Sequence, residues 1–316
     1  MIRLLFVFIA LFASATNTLA MFSSPKILHN SGDFYYHEIK PAHLTDALQA
    51  AQLSPVFILG GGPGFSSWNL EPIQQKMAQL GHRVYLMDMI GIGENDANVP
   101  ANILNAWTEQ VAQLKNQVSP NQPVTLVAHS WGALMAMLYT RSHPDSVEKI
   151  ILLNPVDPQK KAMAQLTDEI HERNTQETNA QWDDESAWEH ATEIKPEDIQ
   201  HITLRQIQQV LPTYFLDYEQ GQRYAAQFTV KDFNIDLNIQ AWKEYDANPI
   251  VFSEINNWQK PLHFIECKQD YLMPYNLNAM QPNIELASVD VIDQCGHFPW
   301  IEQPETFYNT LERYLN

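Results

Sequence analysis

Short runs of apolar residues alternate along this chain with segments in which apolar positions recur every three or four residues. The runs predict strands at Val56 to Leu59, Arg83 to Met87, Val124 to Ala128, Lys149 to Leu153, Leu262 to Glu266 and Val289 to Ile292. The helical pattern follows at Glu71 to Gln79, Ile103 to Gln117, Leu134 to Arg141 and Pro304 to Tyr314. Strands separated by helical segments predict an α/β fold, a mostly parallel sheet with crossover helices. The alternation breaks between Leu153 and Leu262. Asp168 to Asp198 holds eleven acidic residues against two basic ones, Arg173 and Lys195, and the stretch is rich in Trp, Tyr and Gln. We read 157–248 as a helical cap inserted into a core made of 21–156 and 249–316. Most of its acids are expected on a solvated helix face.

Eight of the eleven glycines fall at strand-end turns: Gly60, Gly61, Gly62 and Gly64; Gly91 and Gly93; Gly132; and Gly296. Backbone freedom is therefore concentrated where strands end. The first loop lacks the Lys-Ser/Thr of a phosphate-binding loop, and neither it nor Gly91-Ile-Gly-Glu-Asn-Asp96 has dinucleotide spacing. In Val124-Thr-Leu-Val-Ala-His-Ser130-Trp-Gly132 an apolar strand breaks at a serine and an apolar helix follows at once. This is the pattern of a nucleophile elbow, whose tight turn needs small residues two before and two after the serine. Ala128 and Gly132 satisfy it. The alternative reading of Ser130 is a helix cap.

A chain of 316 residues, 45% of them hydrophobic, can bury a full core. Residues 1–20 read as an export signal: Arg3 carries the charge, Leu4 to Ala13 the apolar stretch, and Thr18-Leu-Ala20 the cleavage site. Cleavage after Ala20 gives a periplasmic or secreted protein; a start at Met21 leaves a cytoplasmic one. The apolar stretch is too short to span a bilayer, and no second run reaches transmembrane length. A formal charge of −18 disfavours nucleic acid and anionic membranes as partners. The expected partner is a small molecule or short peptide, and the oligomeric state is left open. The two cysteines, Cys267 and Cys295, exclude a cysteine-rich metal site. The eleven histidines show no His-x-His or His-x-x-Glu-His pattern, so no metal or cofactor is expected.

A serine hydroxyl needs a base, and the base needs an acid to hold its tautomer and its charge. For this elbow the chain order is serine, acid, histidine. His297, in Asp293-Gln-Cys-Gly-His297-Phe-Pro-Trp, follows the last strand and precedes the last helix, with Gly296 freeing its turn. Asp270 lies in a loop after the preceding strand, ahead of Pro274. Glu266 is the competing acid, but it sits inside the strand. His129 is read as a packed neighbour of the nucleophile. Backbone N–H groups of Trp131 and of Gly62, or else Gly61, are the candidate oxyanion donors. Cys267 and Cys295 end strands expected to be neighbours just upstream of Asp270 and His297. A disulfide between them would tie the two loops together, although directly paired parallel strands offer awkward geometry for it.

These motifs resemble the α/β-hydrolases, and within them the proline-iminopeptidase-like serine peptidases. Gly61-Gly-Pro-Gly64 resembles the family's oxyanion loop, Ser130-Trp-Gly132 its nucleophile segment, and Gly296-His-Phe-Pro-Trp-Ile-Glu-Gln-Pro304 its histidine segment. The resemblance implies an α/β-hydrolase fold with an inserted helical cap and release of amino-terminal proline or a small residue through an acyl-enzyme, without cofactor. Departures lie at Gly60, where the family has His; at Met87-Asp88-Met-Ile-Gly91, which keeps Asp and Gly but loses Gln and Arg; and at Ala128-His129 in place of Gly-Gly. An aminopeptidase would pair a cap carboxylate with the substrate amino group, and Trp182, Asp183, Asp184 and Glu185 supply both acids and an aromatic ring. A carboxylesterase or lipase-like enzyme would use the same triad with an apolar acyl pocket, and a non-catalytic binding protein on a hydrolase scaffold is the third reading.

Overall fold

The computed structural model describes residues 26–41, 53–96, 99–157, 168–169, 172–173, 175–176, 196–250, 258–270 and 287–316. The six expected strands form: β3 (Val56–Leu59), β4 (Val84–Leu86), β5 (Val124–His129), β6 (Val147–Leu153), β7 (Leu262–Cys267) and β8 (Ala287–Ile292). Two earlier strands, β1 (Ile27–Asn30) and β2 (Tyr35–Ile39), complete an eight-stranded sheet in the order β1-β2-β4-β3-β5-β6-β7-β8. β1 pairs antiparallel with β2, and β2 with β4, whereas β4 through β8 are mutually parallel. This antiparallel edge was not foreseen, because β1 is mostly exposed and β2 mixes polar with apolar positions.

Helices α1 (Glu71–Gln79), α2 (Ile103–Val118) and α3 (Gly132–Ser142) follow β3, β4 and β5. Side chains of the buried strands alternate between two cores, as period-two geometry requires. Phe57, Leu59, Leu126, Ala128, Ile150 and Leu152 face α2 and α3. Ile58, Val127, Ile151, Leu153 and Ile265 face the core that holds Ile73, Met77, Phe307 and Leu311. Helix α3 is buried from Gly132 through Thr140. Gly132 must be glycine: a Cβ there would meet the Leu59 carbonyl oxygen at 2.4 Å and that of Gly60 at 2.5 Å. Close approach of α3 to β3 thus explains a residue that the sequence pattern demanded only as small.

Between β6 and β7 the chain forms α4 (Pro196–Val210), α5 (Tyr218–Ala225) and α6 (Ile235–Ala247), the helical cap. The final helices are α7 (Pro299–Glu302) and α8 (Pro304–Leu315). We propose Asp157 and Asn248 as the limits of the insertion. Among the described residues no helix is long and apolar enough to cross a membrane. Residues 1–20 and Met21 lie outside the described residues, as do Pro274 and the tetrad from Trp182 to Glu185.

The cap is bonded to the core by an acid of its own. Glu244 on α6 accepts hydrogen bonds from the N–H groups of Ile103 and Leu104, 3.0 Å each, at the free amino end of α2. Burial alone would raise its pKa, but these donors and the Gln240 amide outweigh it and lower the value. Because the folded value is depressed, the stabilisation is complete above the ordinary glutamate range and is lost as pH falls through the folded pKa. Glu244→Ala is expected to cost about 1 kcal/mol at pH 7. The gap between the two proteins should close as urea unfolding is repeated toward pH 3.

Candidate active site

The residues singled out by sequence sit together at the carboxyl ends of the parallel strands. β5 ends at His129 and α3 begins at Gly132, leaving Ser130 in a turn with φ of 54°. A non-glycine residue held in the left-handed region carries strain that its surroundings must hold in place. Here the Ser130 N–H donates to the Leu153 carbonyl at 3.0 Å, and the Ser130 carbonyl accepts from Ala133 at 3.0 Å and Val156 at 3.2 Å. On the other side Gly61 packs so tightly that a Cβ would lie 3.0 Å from Ser130 Cβ and 3.3 Å from His129 Nδ1.

Asp270 and His297 meet in a buried pair, with His297 Nδ1–H donating to Asp270 Oδ2 at 2.7 Å. Glu266, the other candidate acid, is fully buried in β7, and neither of its oxygens has a hydrogen-bond partner. Its pKa is raised well above the usual carboxylate range, by burial first and by the Asp270 charge second. The loops that carry Asp270 and His297 are joined by the disulfide Cys267–Cys295, with Cα atoms 5.1 Å apart. Cys267 lies opposite Ile292, the last residue of β8, and Cys295 is three residues further on, in the loop. Gln269 completes the join through backbone and side-chain bonds to Cys295, both 3.1 Å.

Four groups hold the peptide around His297. Tyr214 accepts from the His297 N–H at 2.7 Å, and His129 Nε2–H donates to the His297 carbonyl at 3.0 Å. The Asn154 amide donates to the Gly296 carbonyl at 2.9 Å, while its own oxygen accepts from the Cys267 N–H at 3.1 Å. Glu302 Oε2 accepts from Gly296 at 3.0 Å and Phe298 at 3.3 Å, and its Oε1 accepts from Leu216 of the cap at 2.7 Å. Burial raises the Glu302 pKa despite these donors. His129 is driven the other way: burial, then the neighbouring His297, push it well below the ordinary histidine value, so it stays neutral. Sequence reasoning placed His129 correctly as a neighbour but missed Asn154, Tyr214 and Glu302. Only Glu302 carried a signal, since it lies in the quoted histidine segment.

The candidate oxyanion loop is gripped by the cap as well. Asn234 N–H donates to Gly64 at 2.7 Å, the Asn238 amide donates to Pro63 at 2.7 Å, and Ser66 N–H donates to Asp232 at 2.9 Å. Asp88 fastens the loop's far end by accepting from the Ser67 N–H at 2.7 Å and hydroxyl at 2.8 Å. Gly62, with φ of 131°, lies beside Gly61 in the wall of a cavity of about 410 Å³ that Ser130 and His297 also line. The N–H of Trp131 belongs to the head of α3, where helices leave their first donors unpaired. Phe65, Tyr214, Tyr224, Phe228 and Trp242 supply aromatic walls, and among the described lining residues none is Asp, Glu, Lys or Arg. Among the described residues no group of acids, cysteines and histidines could hold a metal.

This sheet, with a strained serine at the end of β5 and a buried Asp–His pair beyond β7 and β8, is the architecture of an α/β hydrolase. The family model for the α/β hydrolase fold matches residues 54–304, and the chain belongs to that family of enzymes. It is 24% identical over 277 residues to a proline iminopeptidase of Heyndrickxia coagulans, covering 83% of this chain and 91% of the relative. A proline iminopeptidase of Clostridium botulinum is 21% identical over 276 residues, covering 83% and 89%. Among solved structures it is similar to a serine hydrolase from Cycloclasticus zankles, with a TM-score of 0.62, 17% identity, and coverage of 91% of this chain and 96% of the other. A 2-hydroxy-6-oxo-6-phenylhexa-2,4-dienoate hydrolase from Rhodococcus superposes with a TM-score of 0.61 at 16% identity, covering 92% and 98%.

Because Glu302 is bonded to both the cap and the histidine loop, Glu302→Gln is expected to loosen both. A glutamine has one acceptor oxygen and would turn its NH₂ toward at least one of the three N–H donors. Amide hydrogen exchange should rise about tenfold or more at 294–298 and 214–218, with α2 and α3 unchanged.

Proposed function

We propose that this protein is a serine hydrolase in which Ser130 is the nucleophile, His297 the base and Asp270 the acid. The observation that carries this reading is the buried 2.7 Å Asp270–His297 bond, opening on the cavity that Ser130 lines. Asp270 holds His297 with its proton on Nδ1, which leaves Nε2 to accept the Ser130 proton as Oγ attacks a carbonyl carbon. The developing oxyanion is met by the N–H groups of Trp131 and Gly62, with Gly61 behind them. His297 then protonates the leaving group, and a water activated by the same imidazole hydrolyses the acyl-enzyme. Triad members act as a unit. Ser130→Ala and His297→Ala should therefore each lower kcat by about three orders of magnitude or more, and Asp270→Asn severely, while circular dichroism and Tm stay near the parent's. Near-parent turnover by Ser130→Ala would end the proposal.

For the substrate we propose an amino-terminal proline or small residue. The two proline iminopeptidases support it through coverage of most of both chains, and the aromatic walls suit a pyrrolidine ring. The candidates for the substrate ammonium are the carboxylates of Asp183, Asp184 and Glu185, with Trp182 as the candidate ring against the proline. One observation favours a second reading, an esterase: the described walls of the cavity carry no formal charge. A proline arylamide compared with its N-acetyl form separates the two. A broken desolvated ion pair costs about 2 to 5 kcal/mol, roughly thirtyfold or more in kcat/KM, so the aminopeptidase should prefer the free amine by at least that factor. Equal cleavage of both amides, or cleavage of a short-chain ester alone, establishes the esterase reading instead.

Export is part of the same proposal. It rests on the leader pattern of residues 1–20 and on Cys267–Cys295, since disulfides persist mainly in oxidising compartments. The bond closes a loop with a sequence separation of 28. The entropic model then gives about 3 to 4 kcal/mol of stabilisation. Urea unfolding of the double Cys→Ala variant should show that loss, and the exported protein should begin at Met21.

A further inference from the structure

Beyond Ser130 the cavity ends at two residues that belong to different parts of the fold. Asn69 follows the candidate oxyanion loop, and Tyr224 stands on α5 of the cap. The Asn69 amide donates to Tyr224 Oη at 2.9 Å, so the two side chains form a closed pair across the cap–core boundary. Both residues line the cavity that holds Ser130, and both also line a second, outer cleft of about 520 Å³. They are therefore the partition between the two spaces. The cleft is floored by Trp68, Trp300 and Ile301 and rimmed by the amides of Gln75, Gln220 and Gln227. Its charged margins are already paired, Glu71 with Lys26 and Arg223 with Glu219.

We infer that Asn69 and Tyr224 are specificity-determining residues: they form the end wall of the acyl pocket and limit the length of an uncharged acyl group, whose distal part would otherwise run into the outer cleft. The inference rests on the reading of Ser130 as nucleophile. The floor of the cleft is apolar and aromatic, and its rim carries neutral amides beside the ion-paired Glu71 and Arg223. It therefore suits an extended, uncharged chain rather than a charged group. Tyr224 is fixed by its neighbours, with ring centroids 5.1 Å from Phe215, 4.9 Å from Phe298 and 5.6 Å from Phe228. Asn69 is half-buried and makes its side-chain bond to Tyr224, so it is the member that can be removed with least disturbance.

The test compares the parent, Asn69→Ala and Tyr224→Phe on p-nitrophenyl esters of increasing acyl length and on proline and alanyl-proline arylamides, each with a serine-directed phosphonate control. For the parent, kcat/KM should fall sharply once the acyl group exceeds the cavity. In Asn69→Ala the readout is the ratio of kcat/KM on longer acyl groups to that on the shortest one, taken within the same protein. Acyl groups three or more methylenes longer should gain about tenfold or more, since each newly buried methylene is worth about fourfold. Tyr224→Phe keeps the ring in place and should gain less than about threefold. If Asn69→Ala does not fold, Asn69→Ser carries the same comparison. A folded Asn69 variant with the parent's length profile, or a parent that already accepts long acyl groups as well as short ones, overturns the wall. A parent with no phosphonate-sensitive hydrolysis of any member overturns the reading of Ser130, and this inference with it.

Discussion

The arrangement around Ser130 depends on one constraint: the main chain at Gly296 and His297 is held from four directions at once. His129 reaches it from the end of β5, Asn154 from beyond β6, Tyr214 from the cap and Glu302 from α7. Each bond is of ordinary strength, about 1 kcal/mol net, but together they leave the loop no alternative backbone path. Gly296 is the point of closest approach, where a Cβ would meet the Tyr214 carbonyl oxygen at 2.4 Å. The cap is thus a structural member of the site. Its segment at 214–216 seats the histidine loop, and its segment at 232–238 seats the loop of Gly61, Gly62 and Gly64.

Electrostatics follow from the same burial. Around Asp270, burial first and the Asp270 charge second push the Glu266 carboxyl and the Tyr214 phenol upward, and burial drives His129 downward, so each is shifted toward its uncharged form. A buried carboxylate is costly unless it is paired and hydrogen-bonded. Here its described side-chain partner is the imidazole, at 2.7 Å. That bond fixes the ring of His297 through its Nδ1 side.

Much of this was legible in the chain because turn chemistry is local. Ala128, Ser130 and Gly132 announce a strand-to-helix elbow within five residues, and the order of Ser130, Asp270 and His297 along the chain needs no tertiary knowledge. The choice of Asp270 over Glu266 followed from the end of a strand against its interior, and it is Asp270 that is hydrogen-bonded to His297. What escaped was set by long-range packing. The β1–β2 edge is too short and too exposed to announce itself by periodicity. Asn154 and Tyr214 act through contacts with residues 142 and 83 positions away, Gly296 and His297. The acids of Trp182-Asp-Asp-Glu185 lie outside the described residues. Among the cap acids whose partners are described, Glu244 binds the head of α2 and Asp232 accepts from the Ser66 hydroxyl.

The contacts that seat the cap combine main-chain bonds, between Asn234 and Gly64, Ser66 and Asp232, and His297 and Tyr214, with side-chain bonds made by Glu244, Asn238, Asn234 and Glu302. The main-chain bonds are available whatever the side chain, whereas those of Glu244, Asn238 and Glu302 depend on the residue that stands there. The cap also lines the cavity, through Tyr224, Phe228 and Trp242 among others. One insertion therefore both seats the loops of Gly64 and His297 and shapes the space beside Ser130, while the strained serine stays where the sheet puts it.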